Sequence, residues 1–152
     1  MRHSFRFLSA TALLSLVSLV AIGASGRAEA GGGSRPIKGT GEGVVTGVVS
    51  PVELLIDYVG NASHLGKFTR REDVTFGDLG TISGSIVFVA ADGDELNVSF
   101  TGQFVSPNDA VAAYTFAGGT GRFTHATGTA TATASTPDFV HVSVSFEGTI
   151  DY

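Results

Sequence analysis

Apolar and polar residues alternate along most of this chain, and nowhere with fewer breaks than at its end. There Val140, Val142, Val144, Phe146, Ile150 and Tyr152 fall on one phase and His141, Ser143, Ser145, Glu147, Thr149 and Asp151 on the other. A period of two means a strand with one apolar and one wet face. The pattern recurs upstream in short runs ended by Gly, Pro, Asn or Asp, the mark of antiparallel sandwiches and barrels. It predicts eight strands, Ile37–Val49, Glu53–Ser63, Gly66–Phe76, Gly80–Ala90, Glu95–Val105, Ala110–Ala117, Ala126–Ser135 and Phe139–Tyr152. Asp92-Gly93, set between Val87-Phe88-Val89 and Leu96-Asn97-Val98, is the strongest hairpin signal. No stretch of useful length has helical periodicity.

Eight short strands with short connections suit closure into a small all-β antiparallel barrel, which removes exposed edges. A two-sheet sandwich competes, because alternation does not count sheets. Gly39, Gly41, Gly43 and Gly47 fit sharp coiling or bulges in a barrel wall. Thr127 to Ala134 reads as a strand with threonines on one face and Gly/Ala on the other, leaving room for something bulky opposite.

The chain has 152 residues, enough for one core. A basic start (Arg2, His3, Arg6), an apolar run from Leu8 to Ala24 and the small-x-small string Ala28-Glu29-Ala30 form the pattern of a secretory signal peptide over residues 1–30. An uncleaved membrane anchor is the alternative. Residues 31–36 read as a flexible leader and 37–152 as one barrel domain, placed in the periplasm or outside the cell. From residue 31 onward six basic residues face thirteen acidic ones, a net charge of -7. Such a surface argues against nucleic acid and, once the signal is removed, against anionic membrane headgroups. With no cysteine there is neither a disulfide framework nor a lipid-bearing thiol.

Reactive constellations are absent. Gly118-Gly119-Thr120-Gly121 permits a tight reversal after a strand, with Phe123 folding back as a plug. It lacks the Lys-Ser/Thr and helix of a phosphate loop, so no cofactor is implied. His64, His125 and His141 show no metal-ligand spacing and read as surface or turn residues. Asp92, Asp94 and Glu95 lack the register of a calcium loop and read as a solvated hairpin tip. Lys67, Arg70, Arg71, Glu72 and Asp73 read as an exposed edge or loop protected against aggregation. Asp57, inside the apolar run Leu54–Val59, is either a solvent-facing strand residue, the favoured reading, or a buried charge needing a partner.

The string Tyr114-Thr115-Phe116-Ala117-Gly118-Gly119-Thr120-Gly121-Arg122-Phe123-Thr124-His125-Ala126-Thr127-Gly128 resembles the Gly-Gly-x-Gly-x-Phe…Ala-x-Gly segment of the allene oxide cyclase and dirigent-like barrels, calycin-like eight-stranded antiparallel barrels. Phe146–Tyr152 looks like the closing strand of small secreted bacterial proteins of that type. The resemblance covers the last quarter of the chain and implies an apolar lumen able to hold a lipid-like or phenolic molecule. The family's catalytic groups lie outside the matched segment, so none is carried across.

Three functions follow. The first is a secreted barrel binding a small apolar ligand in a lumen lined by Ile86, Phe88, Val98, Phe100, Tyr114, Phe116, Val144 and Phe146; were these to fill the interior, it would be a structural module. The second is an isomerase- or cyclase-like enzyme acting by shape on a lipid-like or phenolic intermediate, with Asp57, Tyr58 or Glu147 inside. The third is an eight-stranded outer-membrane barrel, which three tyrosines and no tryptophan supply poorly with aromatic girdles.

Overall fold

In the computed structural model, which describes residues 33–152, period-two alternation becomes eight antiparallel strands. These are β1 (Arg35–Ser50), β2 (Glu53–Ala62), β3 (Gly66–Phe76), β4 (Thr81–Val89), β5 (Glu95–Phe104), β6 (Asp109–Gly119), β7 (Thr127–Ser135) and β8 (His141–Asp151). Each pairs with its sequence neighbours, and β1 pairs with β8, so the sheet closes into a barrel with no free edge. The sandwich alternative is thereby excluded. β1 begins inside the expected leader, at Arg35, whose Cα partner is Ile150. β8 begins later than expected, at His141, because Phe139 adopts a left-handed backbone conformation (φ 58°) that ends the preceding loop. The proposed signal segment lies outside the described residues.

Closure turns the apolar phase of every strand inward. Ile37, Ile56, Phe68, Val74, Ile86, Phe88, Leu96, Val98, Phe100, Phe116, Val144, Phe146 and Ile150 are all buried. Thr, Ser and charged residues alternate with them on the outside. That is the reverse of a membrane barrel, whose outer band must be apolar. Four aromatic rings interlock in the interior: Phe68 meets Phe88 at 5.0 Å, Phe88 meets Phe146 at 5.5 Å, and Phe146 meets Tyr114 at 6.0 Å between ring centroids. Room for inward rings comes from glycines directly beside them on β1. A Cβ on Gly39 would strike the Phe146 ring, and one on Gly43 the Tyr58 ring.

The two ends differ. At one end the β2–β3, β4–β5 and β6–β7 connections are tied together by Arg122. Its guanidinium bonds Asp92 and donates to the His64 carbonyl at 2.7 Å, while its backbone N–H donates to Asp94 at 3.0 Å. Gly121 (φ 52°) allows this approach, since a Cβ there would overlap the Asp94 carboxylate. Phe123 then plugs the end, fully buried and 5.0 Å from the Tyr152 ring. The Gly-rich string is thus a turn and stopper, and Asp92 and Asp94 serve it as anchors.

Two substitutions test this packing. Phe123→Ala removes the plug and is expected to cost about 3–5 kcal/mol in denaturant unfolding. Gly84→Ala is expected to cost about 1–3 kcal/mol, because its Cβ would overlap the Asp73 carbonyl of the neighbouring strand.

Candidate functional site

The opposite end is open. The β1–β2, β3–β4, β5–β6 and β7–β8 connections surround a cavity of about 420 Å³, within the range of small-molecule sites. Its wall is Val45, Leu54, Ile56, Val74, Phe76, Ile82, Phe104, Ala110, Ala134 and Val142, with Tyr58 and Glu72 at its inner limit. Two features leave the space unfilled. β7 supplies only alanines to the interior, Ala130, Ala132 and Ala134, and β1 bulges between Val45 and Gly47 and again between Val48 and Ser50. The rim exposes Val52, Leu79, Val105 and Phe139. Two rim loops are joined where Asn108 Nδ2 donates to the Thr136 carbonyl at 2.7 Å and the Thr136 N–H donates to the Asn108 carbonyl at 2.8 Å. A third anchor is Asp138, which accepts from the Val140 and His141 N–H groups and the His141 ring. Those bonds hold its carboxyl well below the usual range.

The floor holds the main departure from the sequence reading. Arg70 and Glu72, expected on an exposed edge, are buried, because the inward phase of β3 runs Phe68, Arg70, Glu72, Val74. In a closed sheet β3 has no edge. Arg70 Nη2 donates to Glu72 Oε2 in an ion pair whose side chains are 1% and 9% exposed. The guanidinium lies 4.3 Å from the Tyr58 ring centroid, 5.4 Å from that of Phe88 and 5.5 Å from that of Tyr114. Arg70 Nε and Nη1 are buried without a hydrogen-bond partner. Burial disfavours the guanidinium's charge, but Glu72 and the two phenols outweigh it, and Arg70 stays protonated. Burial, then the Glu72 charge, pushes the Tyr58 phenol far up; burial pushes that of Tyr114 up to about 12.

The eight lumen residues expected from sequence, Ile86, Phe88, Val98, Phe100, Tyr114, Phe116, Val144 and Phe146, are all buried on the inner face. They pack the half of the barrel below Arg70 and the band beside it. None lines the open cavity; Phe100 and Tyr114 border a void of about 30 Å³ next to Arg70 and Glu72. Asp57 and Glu147 do not meet across the lumen. Asp57 faces outward, pairing with Arg71 at 2.8 Å, which holds its carboxyl below the usual range, and Glu147 is exposed. Of the three polar groups weighed for the interior, Tyr58 alone lies there. His64 is half-buried in a turn, with Tyr152 Oη 3.1 Å from its Nδ1, whereas His125 and His141 are exposed. Among the described residues no group of three His, Asp or Glu side chains is placed to hold a metal.

Two solved structures share this architecture. The pterocarpan synthase dirigent protein PsPTS1 superposes with a TM-score of 0.55 at 13% identity, over 78% of this chain and 94% of its own. For the pterocarpan synthase dirigent protein GePTS1 the TM-score is 0.53 at 17% identity, over 78% and 88% of the two chains. This chain has the dirigent-like barrel fold. At that identity the likeness is one of fold. No protein-family model matches the chain, and no curated protein matches it in sequence.

Two predictions come from the floor of this dirigent-like barrel. Removing one partner, as in Arg70→Met or Glu72→Leu, is expected to cost about 3–5 kcal/mol, whereas the double variant recovers most of that stability because no unpaired charge remains buried. Denaturant unfolding of the three variants checks this. The second concerns alkaline pH. Unfolded phenols ionise near pH 10, so below that Tyr58 and Tyr114 are neutral in both states and their contribution is fully present. Above it the unfolded chain loses protons first, and stability falls as pH rises toward 12 and beyond. Unfolding at stepped alkaline pH is expected to show that decline, with a shallower slope in Tyr58→Phe.

Proposed function

We propose that this is a secreted or periplasmic barrel that binds a small, largely apolar molecule in the cavity at its open end. The observation that carries the reading is the cavity itself, about 420 Å³ with an almost wholly aliphatic and aromatic wall, closed below by a solid half-barrel. An apolar space of that size is not the cheapest filling for a core, since each missing side chain forfeits dispersion and burial. The exposed apolar side chains around the rim extend the greasy surface to solvent and give an apolar ligand a continuous path inward. Export by residues 1–30 would place the protein where it meets such molecules outside the cytoplasm.

A second reading is favoured by one feature, the meeting of Tyr58, Arg70 and Glu72 at the inner limit of that cavity. A carboxyl, a phenol and a fixed positive charge facing an apolar guest are the parts needed to steer an isomerisation or cyclisation by shape and a single proton transfer. The two structural neighbours carry the name pterocarpan synthase, and the phenolic guest that the sequence resemblance implies is a starting point for assays of this chain.

Binding is tested by titrating the protein with the neutral dye N-phenyl-naphthylamine. Saturable uptake with a stoichiometry near one is expected, lost in Val74→Trp, which fills the cavity from its wall. Absence of saturable uptake, or equal uptake by the filled variant, would sink the reading.

A further inference from the structure

We infer that the molecule taken up by this barrel presents a neutral oxygen acceptor, a carbonyl or ether, to Arg70 at its inner end; the inference rests on the cavity reading above. Arg70 is 3% exposed, and of its guanidinium only Nη2 has a partner, while Nε and Nη1 are buried with none. Buried donors are almost always satisfied, because an unpaired one forfeits its hydration without return. The rings of Tyr58, Phe88 and Tyr114 crowd the group, and neither phenol oxygen completes a hydrogen bond to Nε or Nη1.

The acceptor has a place to sit. The void of about 30 Å³ beside Arg70 shares Tyr58, Glu72, Ile82, Ala110 and Ala134 with the wall of the open cavity. It has room for one carbonyl group or one water. An apolar body in the cavity can therefore lodge one oxygen there without disturbing the packed half below.

Neutrality follows from charge. Glu72 already offsets the guanidinium and lies on the wall of both spaces, so an incoming carboxylate would meet a carboxyl beside its only cation. The mouth adds Glu53, Asp78, Asp109 and Asp138, and its four connecting loops hold no Lys or Arg. An ammonium group drawn to Glu72 would meet the guanidinium that Glu72 already pairs with, and would leave Nε and Nη1 unsatisfied. The fitting class is a mainly apolar molecule with one uncharged carbonyl or ether oxygen at its end.

Three shape-matched probes decide it: methyl naphthyl ketone, isopropenyl naphthalene, in which C=CH₂ replaces C=O, and naphthoate. With the wild-type protein the ketone is expected to bind about tenfold or more tightly than the alkene, and naphthoate more weakly than the ketone. The ketone's carbonyl stretch should move to lower frequency on binding. In the double variant Arg70→Met with Glu72→Leu, the ketone and alkene should bind within about twofold of each other. Equal binding of ketone and alkene to the wild type, with an unshifted carbonyl band, would mean that the void holds water only and would overturn the inference while leaving the cavity reading intact. Naphthoate binding as tightly as the ketone would overturn the neutrality of the class. Failure of all three probes to bind would overturn the cavity reading and this inference together.

Discussion

Pairing of β1 with β8 is the constraint on which everything else in this molecule depends. Once the sheet is closed there is an inside, and period-two geometry commits alternate residues of each strand to it. A side chain on that phase goes inward whatever its chemistry. This is why Arg70 and Glu72 share the interior with Phe68 and Val74, and why their neighbours Arg71 and Asp57 form an ordinary surface pair. It is also why the outside carries the threonines and serines.

Inside, volume divides the barrel. Below Arg70 Phe68 and Phe146 pack against glycines of β1, Phe88 and Phe116 are buried with them, and Phe123 stops the end. Above it the wall is mainly valine, leucine, isoleucine and alanine with Phe76 and Phe104, and it encloses the open cavity. The Arg70–Glu72 pair stands at the boundary. Burying two charges is expensive, and a hydrophobic pair of similar size would serve stability at least as well. Its place at the inner limit of a hollow, with two guanidinium nitrogens unpaired, is what the proposed recognition of a guest rests on.

Much of the architecture was legible in the alternation. Asp92-Gly93 marked its hairpin, the glycines of β1 marked a coiled wall, and Phe123 marked the plug, because each is a local device that works the same way in any surroundings. Arg70 and Glu72 were missed because a run of charges was read as one unit and assigned to an edge. The signal was nonetheless present: Phe68 and Val74 fix the inward phase, and Arg70 and Glu72 lie on it at even spacing. The division between solid and hollow halves was not legible. It depends on which inward residues from eight strands meet at one level, and on two bulges in β1 that its glycines signalled only in a general way. The Ala-rich face of β7 hinted at spare volume, and its Ala132 and Ala134 border the void beside Arg70, with Ala134 also lining the open cavity.

The central claim is that this barrel is hollow at one end only. Methyl NMR under dissolved xenon measures it directly, since xenon enters dry apolar cavities and shifts the methyl groups around it. The account predicts saturable shifts at Val45, Leu54, Ile56, Val74, Ile82 and Val142, with Ile37, Ile86, Val98, Val144 and Ile150 unmoved. Uniform small shifts throughout, or none at the mouth-side methyls, would contradict it.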